Sequence, residues 1–166
     1  MRYPAHLNKT SMLSLLMLLL LPLAGVSLCA THRHLIPITN VKDGDTVAVE
    51  NTHLLSLPLR SFPLSIRIQS IDCPERGHRA KCPSEAALAD RAKDFTEQQV
   101  TSHAPEDTGI ELCSWDKYGG RILGDVWFWK GNRSQSLSDM LLTHSFAVPY
   151  LGRGTRHDWC TCPGSM

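Results

Sequence analysis

The chain has 166 residues, of which 42% are apolar and 20% charged, and this balance excludes an intrinsically disordered or low-complexity protein. The length favours a single domain once the N-terminal segment is set apart. A formal net charge of +1 excludes binding of nucleic acid by global electrostatic attraction, so any such contact requires a local basic patch.

The first thirty residues differ in composition from the rest of the chain. Arg2 and Lys9 precede an uncharged, Leu-rich run over residues 12–29, and small residues follow one another up to Ala30. This pattern is typical of a secretory signal peptide, so we expect residues 1–30 to be removed and residues 31–166 to form one exported domain, periplasmic or secreted. An uncleaved membrane anchor over residues 12–29 is the alternative, because the run is nearly long enough to span a bilayer.

The cysteine count agrees with export. Loss of Cys29 leaves five of the six cysteines, and an odd number leaves one thiol free or paired with another molecule. One or two bridges are expected in an oxidising compartment, and the sequence leaves their connectivity open. The five are Cys73, Cys82, Cys113, Cys160 and Cys162.

Alternating residues predict a hairpin near the start of the exported domain. After a linker over residues 31–35, a strand is expected over 35–41, a turn at 42–45 and a returning strand at 46–50. The Asp-Gly pair within the turn predicts a tight connection in which Gly44 takes a positive φ. Residues 51–63 contain two prolines and are expected to form a loop.

A third strand carries charges that a purely structural strand does not need. Apolar and polar residues alternate over residues 64–69, which places Arg67 on the polar face. The strand is expected to continue to Pro74, which has no N–H to donate to a ladder. Two carboxylates, Asp72 and Glu75, crowd the end of this strand.

The second half of the chain predicts two helices and two further strands. The first helix is expected over residues 83–100, since Pro suits a first helical position, and strands follow over 109–113 and 121–129. Ser136 is expected to cap the second helix, with Asp139 three residues later. The apolar stripes expected to face the core are Leu88, Ala92 and Phe95 on the first helix, and Leu137, Met140, Leu141 and His144 on the second.

The order of these elements indicates a small β-rich fold. Three strands, a helix, two strands and a second helix follow one another, and the Gly- and Arg-rich tail beyond residue 150 is expected to be irregular. Five short strands interrupted by one helix are typical of an OB-type barrel, so the predicted class is α+β, mainly β, with two to three helices. Barrels of this type bind oligonucleotides on one face.

Acidic residues collect at the predicted turns and strand ends. Calcium prefers carboxylate and carbonyl oxygens, and Asp45 and Asp72 are two candidate ligands, with the backbone carbonyl of Cys73 as a third. Glu75, two positions further on, is placed to reach a water molecule instead of the ion.

Basic residues lie near these acids in the sequence or the predicted fold. Arg67 and Arg121 can bind phosphate oxygens in bidentate fashion. The basic loop over residues 76–82 is either a solvated connection or a phosphate-steering patch. Phosphodiester cleavage requires a cation, a group that orients water, and positive charge where the transition state gains negative charge, and the residues above supply these parts.

Four stretches of the chain form a recognisable set. They are residues 41–47 (Val-Lys-Asp-Gly-Asp-Thr-Val), 66–75 (Ile-Arg-Ile-Gln-Ser-Ile-Asp-Cys-Pro-Glu), 116–121 (Asp-Lys-Tyr-Gly-Gly-Arg) and 141–150 (Leu-Leu-Thr-His-Ser-Phe-Ala-Val-Pro-Tyr). In this order they resemble the thermonuclease family, the staphylococcal-nuclease-like proteins, over roughly residues 36–160. The resemblance implies an OB-fold nuclease that uses calcium to hydrolyse DNA and RNA with little sequence preference and leaves 3′-phosphates.

The resemblance also implies roles for individual residues. Asp45, Asp72 and the main-chain oxygen of Cys73 would bind calcium, and Glu75 would orient or activate the attacking water. The remaining implied roles are neutralisation of the pentacoordinate phosphate by Arg67 and Arg121, and lining of the nucleotide pocket by Lys117, Tyr118 and Tyr150.

Two positions depart from the family pattern. Cys73 stands where the family usually has Thr, which is tolerable if only the carbonyl binds the ion, although a bridged thiol would bias the loop. An extra glycine separates Tyr118 from Arg121, and one added residue on a strand would turn the arginine to the opposite face. A bulge or a wider turn at Gly119-Gly120 can absorb the extra residue.

Two other classes of protein are compatible with parts of the pattern. One is a non-catalytic OB-fold module that binds nucleic acid, and the retained acidic residues argue against it. The other is a disulfide-stapled exported domain for protein contacts. For the nuclease, DNA and RNA are the expected partners, with no stable protein partner, a monomeric state, and a membrane contact only through an uncleaved N-terminal segment.

Overall fold

The computed structural model describes residues 33–50 and 64–161. The predicted signal peptide or anchor, the loop over residues 51–63 and Cys162 lie outside the described residues. Within the described part of the chain, none of the helices is long and apolar enough to cross a membrane.

The described residues form nine strands and two α-helices. The strands are β1 (Arg33–His34), β2 (Ile38–Asp43), β3 (Thr46–Val49), β4 (Leu64–Ile68), β5 (Ile71–Asp72), β6 (Thr108–Trp115), β7 (Arg121–Lys130), β8 (Arg133–Ser136) and β9 (Val148–Pro149); the helices are α1 (Pro83–Ser102) and α2 (Leu137–Thr143), and short 3₁₀ turns span Gly77–Arg79 and Pro105–Asp107.

Seven of these strands form one sheet in the order β1-β6-β7-β4-β3-β2, with β8 also paired to β7, while β5 and β9 form a separate two-stranded ladder. Strands β4 and β7 run parallel, and the other pairs are antiparallel. The predicted mixed α+β, β-rich class is confirmed. The five predicted strands correspond to β2, β3, β4, β6 and β7, and no ladder among the described residues closes them into a complete barrel.

The core lies between the sheet and the two helices, and strand alternation explains its composition. Val47, Ile66, Ile110 and Val126 each point to the same apolar interior and are fully buried, because every second side chain of a strand faces one side of the sheet. Burying side chains of this size contributes about 1.5–3 kcal/mol each.

The buried face of α1 differs from the predicted stripe. Its buried residues are Glu85, Ala89, Ala92 and Thr96, whereas Leu88 and Phe95 are only partly buried. Ala89, Ala92 and Thr96 are small because the helix packs closely on the β2–β3 hairpin there, and the Thr96 hydroxyl donates to the Gly44 carbonyl at 2.7 Å.

The β2–β3 hairpin forms as predicted, but the reason for Gly44 is different. Gly44 does not take a positive φ. A Cβ at this position would lie 2.8 Å from the Ala92 Cβ and 3.2 Å from the Cys73 Sγ. Gly44 is therefore required by the close approach of α1, and the turn that carries Asp45 is pressed against that helix.

The third strand is shorter than predicted. It ends at Ile68, a turn at residues 69–70 follows, and β5 then starts a new ladder with β9. Ser70 takes a φ of 65°, which a β ladder cannot accommodate, so the chain changes direction there. The turn carries Asp72 out of the main sheet and into contact with the C-terminal part of the domain.

Four other local predictions have mixed outcomes. Ser136 caps α2, since its hydroxyl accepts from the Asp139 N–H, as predicted. His144 is exposed because it follows the last helical turn, so its assignment to the buried side was wrong. Residues 33–34 of the expected linker form β1, since the edge of β6 offers them a ladder. The tail beyond residue 150 lacks helix and strand as far as residue 161, as predicted.

Candidate active site

A cleft of about 1050 Å³ opens where the β2–β3 turn, the end of β4, the β6–β7 turn and the C-terminal tail meet. Eight of the nine predicted site residues line it, and the ninth, Asp72, lies buried directly beneath it, in contact with arginines of the cleft. The lining residues from the predicted set are Asp45, Arg67, Cys73, Glu75, Lys117, Tyr118, Arg121 and Tyr150.

Arg67 joins the two predicted calcium ligands. Its Nη1 lies 2.5 Å from Asp45 Oδ2 and its Nη2 lies 3.5 Å from Asp72 Oδ1. Asp45 and Asp72 are both buried, with Asp72 only 2% exposed. Two buried carboxylates that converge on one guanidinium carry one negative charge more than that arginine alone balances.

The backbone around Asp45 holds its carboxylate in place. The Cys73 N–H donates to Asp45 Oδ2 at 2.9 Å, and the Thr46 hydroxyl donates to Oδ1 at 3.2 Å. The Ile68 N–H donates to the Asp45 carbonyl at 2.8 Å. The tight turn after β2 and the chain reversal after β4 therefore bring residues from both segments onto one side chain.

Burial governs the ionisation of Asp72. Desolvation raises the pKa of this carboxyl above its usual value of 3.8, and the nearby guanidiniums of Arg156 and Arg67 oppose the shift. The carboxylate consequently depends on positive partners to stay charged inside the protein.

Cys73 is a buried free thiol, so no disulfide at this position biases the loop. Burial, followed by the charge of Asp45, raises the pKa of the thiol. Its side chain is thus an uncharged packing group beside Gly44, and the role of its carbonyl as a metal ligand stays a prediction.

Glu75 lies between two arginines at the mouth of the cleft. Its Oε2 lies 3.1 Å from Arg79 Nε and its Oε1 lies 2.5 Å from Arg156 Nη1. The Glu75 N–H donates to Glu85 Oε1 at 3.1 Å, and the Lys81 N–H donates to the other oxygen of Glu85 at 2.6 Å. Glu85, from the first turn of α1, therefore fixes the backbone of the segment that carries Glu75.

The basic loop before α1 lies beside the carboxylates. Arg79 pairs with Asp43 at 3.3 Å as well as with Glu75. Arg76 pairs with Asp90 at 2.8 Å and so points to α1. The sequence allowed two interpretations of this loop. The phosphate-steering patch fits Arg79, which lies next to the acids, and the solvated connection fits Arg76.

The extra glycine leaves Arg121 in the cleft. Gly120 takes a φ of 74°, and the Asp116 N–H donates to the Arg121 carbonyl at 3.0 Å, so the turn absorbs the added residue. Arg121 then pairs with Ser65 across the parallel β4–β7 ladder, two residues from Arg67 and on the same face of the sheet.

The side chain of Arg121 is held by groups from the same turn. Its Nε lies 2.5 Å from Asp116 Oδ2, and its guanidinium lies 4.8 Å from the centre of the Tyr118 ring. The Lys117 ammonium lies 5.2 Å from that ring as well. Tyr118 is largely exposed, so its face is available to a stacked base or sugar.

Sequence reasoning missed Arg156 and Glu85. Arg156 lies in the tail that was expected to be irregular, and it contacts both Asp72 and Glu75. Glu85 lies in the first turn of α1, where an acidic residue favours the helix dipole, so its position in the sequence does not single it out. The signal that points to both is the Cys82–Cys160 disulfide, which ties the tail to the start of α1, but its pairing is not readable from the sequence.

The donor set fits a hard divalent cation such as calcium. Asp45 and Asp72 offer carboxylate oxygens that converge on a single group, as the shared contact with Arg67 shows. A second cluster, Cys82, Glu85 and Cys160, is a poor match for calcium, because two of its members are joined in a disulfide.

The fold and the cleft together define a small β-rich α+β domain with acidic and basic residues gathered in one cleft. Residues 65–158 match the family described as staphylococcal nuclease homologue. The match covers more than half of the chain, so the protein belongs to this family, and the resemblance noted in the sequence is confirmed. A comparison with curated proteins finds no match.

Proposed function

We propose that the protein is an exported, calcium-dependent nuclease that hydrolyses phosphodiester bonds of DNA and RNA with low sequence specificity. The observation that carries the proposal is the convergence of Asp45 and Asp72 on Arg67 within the cleft that Glu75 and Arg121 also line. The family match supports a nucleic-acid substrate.

Glu75 would activate the attacking water. Its carboxylate lies at the open mouth of the cleft and can accept a proton from a water molecule as that oxygen attacks phosphorus. The bond from phosphorus to the 5′-oxygen then breaks, and the departing oxygen takes up a proton from solvent. The products are a 3′-phosphate and a free 5′-hydroxyl.

Arg67 and Arg121 would bind the phosphate as charge builds up on it. They share one face of the β4–β7 ladder, so both guanidiniums are presented to the same cleft. Groups held in this way stabilise the transition state without reorganisation, and the loss of one typically lowers kcat by about 10²- to 10³-fold.

Asp45, Asp72 and the Cys73 carbonyl would hold calcium, which when bound supplies positive charge to a phosphate oxygen and orients the substrate. Lys117, Tyr118 and Tyr150 would contact the nucleotide beside the scissile bond. These contacts are to phosphate, sugar and ring faces rather than base edges, which accounts for low sequence preference.

Two disulfide-bonded segments support the proposed export. Cys82 is bridged to Cys160, and Cys113 is also disulfide-bonded. Bridges of this kind persist in oxidising compartments, such as the periplasm or the extracellular space.

The proposal is tested with the purified protein and single-stranded DNA. We expect cleavage with calcium, none with excess chelator, and products that end in a 3′-phosphate. Glu75→Gln should lose most activity while it stays folded, whereas Glu106→Gln, the same change at an exposed site, should cut like the wild type. Equal rates for Glu75→Gln and the wild type, or binding of DNA without cleavage in any divalent metal, would contradict the proposal.

A further inference from the structure

Arg156 contacts the acidic site although the segment around it is exposed. Residues 151–158 are all exposed, and the Arg156 side chain keeps 44% of its surface accessible. Its Nε nevertheless donates to Asp72 Oδ1 at 3.0 Å, and its Nη1 donates to Glu75 Oε1 at 2.5 Å. The third nitrogen of the same guanidinium, Nη2, also contacts Asp72 Oδ1.

Two anchors hold the segment that carries Arg156, residues 150–160, which we call the strap. At its start, β9 pairs with β5 next to Asp72, and the Tyr150 N–H donates to the Ser70 carbonyl at 2.9 Å. At its end, Cys160 is bridged to Cys82, 78 residues earlier in the chain. The strap is therefore fixed on both sides of the cleft, although it has little packing of its own.

The disulfide end of the strap is adjacent to the Glu75 segment. The Cys160 Sγ lies 3.8 Å from Glu85 Oε2, and the other oxygen of Glu85 accepts the Glu75 N–H. The Cys82–Cys160 bridge, Glu85 and Glu75 are therefore linked by direct contacts. The bridge places Arg156, four residues before Cys160, over the carboxylates of Asp72 and Glu75.

A cation that binds Asp72 Oδ1 competes with Arg156 for this oxygen atom. Asp72 Oδ1 accepts from Arg156 and lies 3.5 Å from Arg67, so any ion that takes this oxygen as a ligand has to displace one or both guanidiniums. Arg67 stands on β4 of the main sheet and its side chain is only 13% exposed, so it has little room to move, whereas Arg156 lies on the exposed strap. We therefore expect a bound cation to displace Arg156 and not Arg67.

We propose that Arg156, held by the Cys82–Cys160 bridge, is a built-in counter-cation of Asp72 and Glu75 that competes with the divalent cation and so sets the cation affinity of the site. The proposal rests on the proposed function, which assigns Asp72 to the metal and Glu75 to the attacking water. When the cation binds, Arg156 is released from both carboxylates, and Glu75 loses a partner that occupies its proton-accepting oxygen.

The test is calorimetric titration of the folded protein with calcium alone, without nucleic acid, so that its readout is independent of catalysis. Arg156→Ala should bind calcium about tenfold more tightly or better, since each charge-assisted bond that no longer has to break contributes to the affinity. Arg156→Lys keeps the charge but loses the fork geometry, so its calcium affinity should lie between those of the wild type and Arg156→Ala.

Arg153→Ala is the matched control, because it removes the same charge from the strap and Arg153 forms no ion pair with any described residue. Its calcium affinity should stay within about twofold of the wild type, as expected for a screened charge. A Cys82→Ser/Cys160→Ser variant should reproduce the gain of Arg156→Ala, and adding Arg156→Ala to it should give little more. Urea unfolding without calcium checks that each variant is folded.

The outcomes separate this proposal from the proposed function. Equal calcium affinity in Arg156→Ala, Arg153→Ala and the wild type, or weaker binding in Arg156→Ala, overturns the inference even if the enzyme cuts DNA. Tighter binding in Arg156→Ala with no cleavage by any variant supports the inference and overturns the nuclease. A gain shared equally by Arg153→Ala also overturns it, because the effect would then be one of net charge alone.

Discussion

The two halves of the cleft are held by different means. One half consists of Asp45, Arg67 and Arg121, which stand on strands of the main sheet or directly beside them. The other half consists of Glu75 and Arg156, which stand on a loop and on the strap and depend on a disulfide. The sheet fixes the first half through the packing of the core, while the second half can change its contacts without disturbing that core.

This difference separates the groups that bind the charged phosphate from the groups that regulate binding of the cation. A buried ion pair that loses one partner is strongly destabilised, because a charge remains in an apolar environment. An exposed pair contributes little to stability and exchanges readily with water or ions. The sheet-held half is therefore expected to dominate stability and transition-state binding, and the strap-held half to dominate the response to the cation.

The largest effect is expected at Arg67. Arg67→Ala leaves Asp45 and Asp72 buried with less positive charge, so the free energy of unfolding without calcium should fall by about 4 kcal/mol and cleavage by about 10²- to 10³-fold. Urea unfolding and initial cleavage rates measure the two quantities. Arg133→Ala, an exposed arginine on β8, is the control, and an equally small effect at both positions would break the distinction.

Loss of the bridge should cost less than loss of Arg67. The Cys82→Ser/Cys160→Ser variant releases a loop of 78 residues and should lose about 3 kcal/mol of unfolding free energy, measured in urea. Cleavage at saturating calcium should persist, because the sheet-held groups stay in place and Glu85 still accepts the N–H of Glu75. A variant that is folded but inactive at saturating calcium would show that the strap is needed for chemistry and not only for cation affinity.

Asp125 lies outside the acidic site, and its hydrogen-bond partners are neutral. It therefore contrasts with the acids of the cleft, whose partners are arginines. It accepts from the Val126 N–H and from the N–H and hydroxyl of Ser138, and burial raises its pKa from 3.8 to about 6. The folded protein thus holds this proton more tightly than the unfolded chain. Its contribution to stability is present below about pH 4 and is lost as the pH rises through 6, by roughly 3 kcal/mol.

Asp125→Asn should remove that part of the pH dependence. The measurement is urea unfolding of the variant and the wild type at pH 4 and at pH 7. The wild type is expected to lose stability relative to the variant between these values. A difference that does not change with pH would show that the carboxylate is ionised throughout.

Gly44→Ala should have the smallest effect of the four. The new Cβ would press on Ala92 and Cys73, so a destabilisation of about 2 kcal/mol is expected, with a weaker calcium response because the Asp45 turn is displaced. Gly119→Ala is the control, as nothing lies within 4 Å of its added Cβ. Equal thermal stability of the two variants would refute the close-packing role of Gly44.

The sheet-held half was predictable from the sequence, and the strap-held half was not. Alternation over residues 64–69 placed Arg67 on the polar face, and the hairpin placed Asp45 at a turn, because both follow from local backbone periodicity. The turn at Ser70 was missed, since a positive φ at a serine leaves no signal in the apolar pattern. Arg156 depends on a bridge across 78 residues, and sequence spacing does not encode which cysteines pair.

The most direct test of the account is to measure DNA cleavage and calcium binding along the same calcium titration, in the wild type and in Asp72→Asn. We expect half-maximal cleavage at the calcium concentration that half-saturates the site, and we expect both signals to be lost or shifted to much higher calcium together in the variant. Cleavage that persists in excess chelator, or an Asp72→Asn protein that cuts at wild-type calcium concentrations, would contradict the assignment of this cleft as the active site.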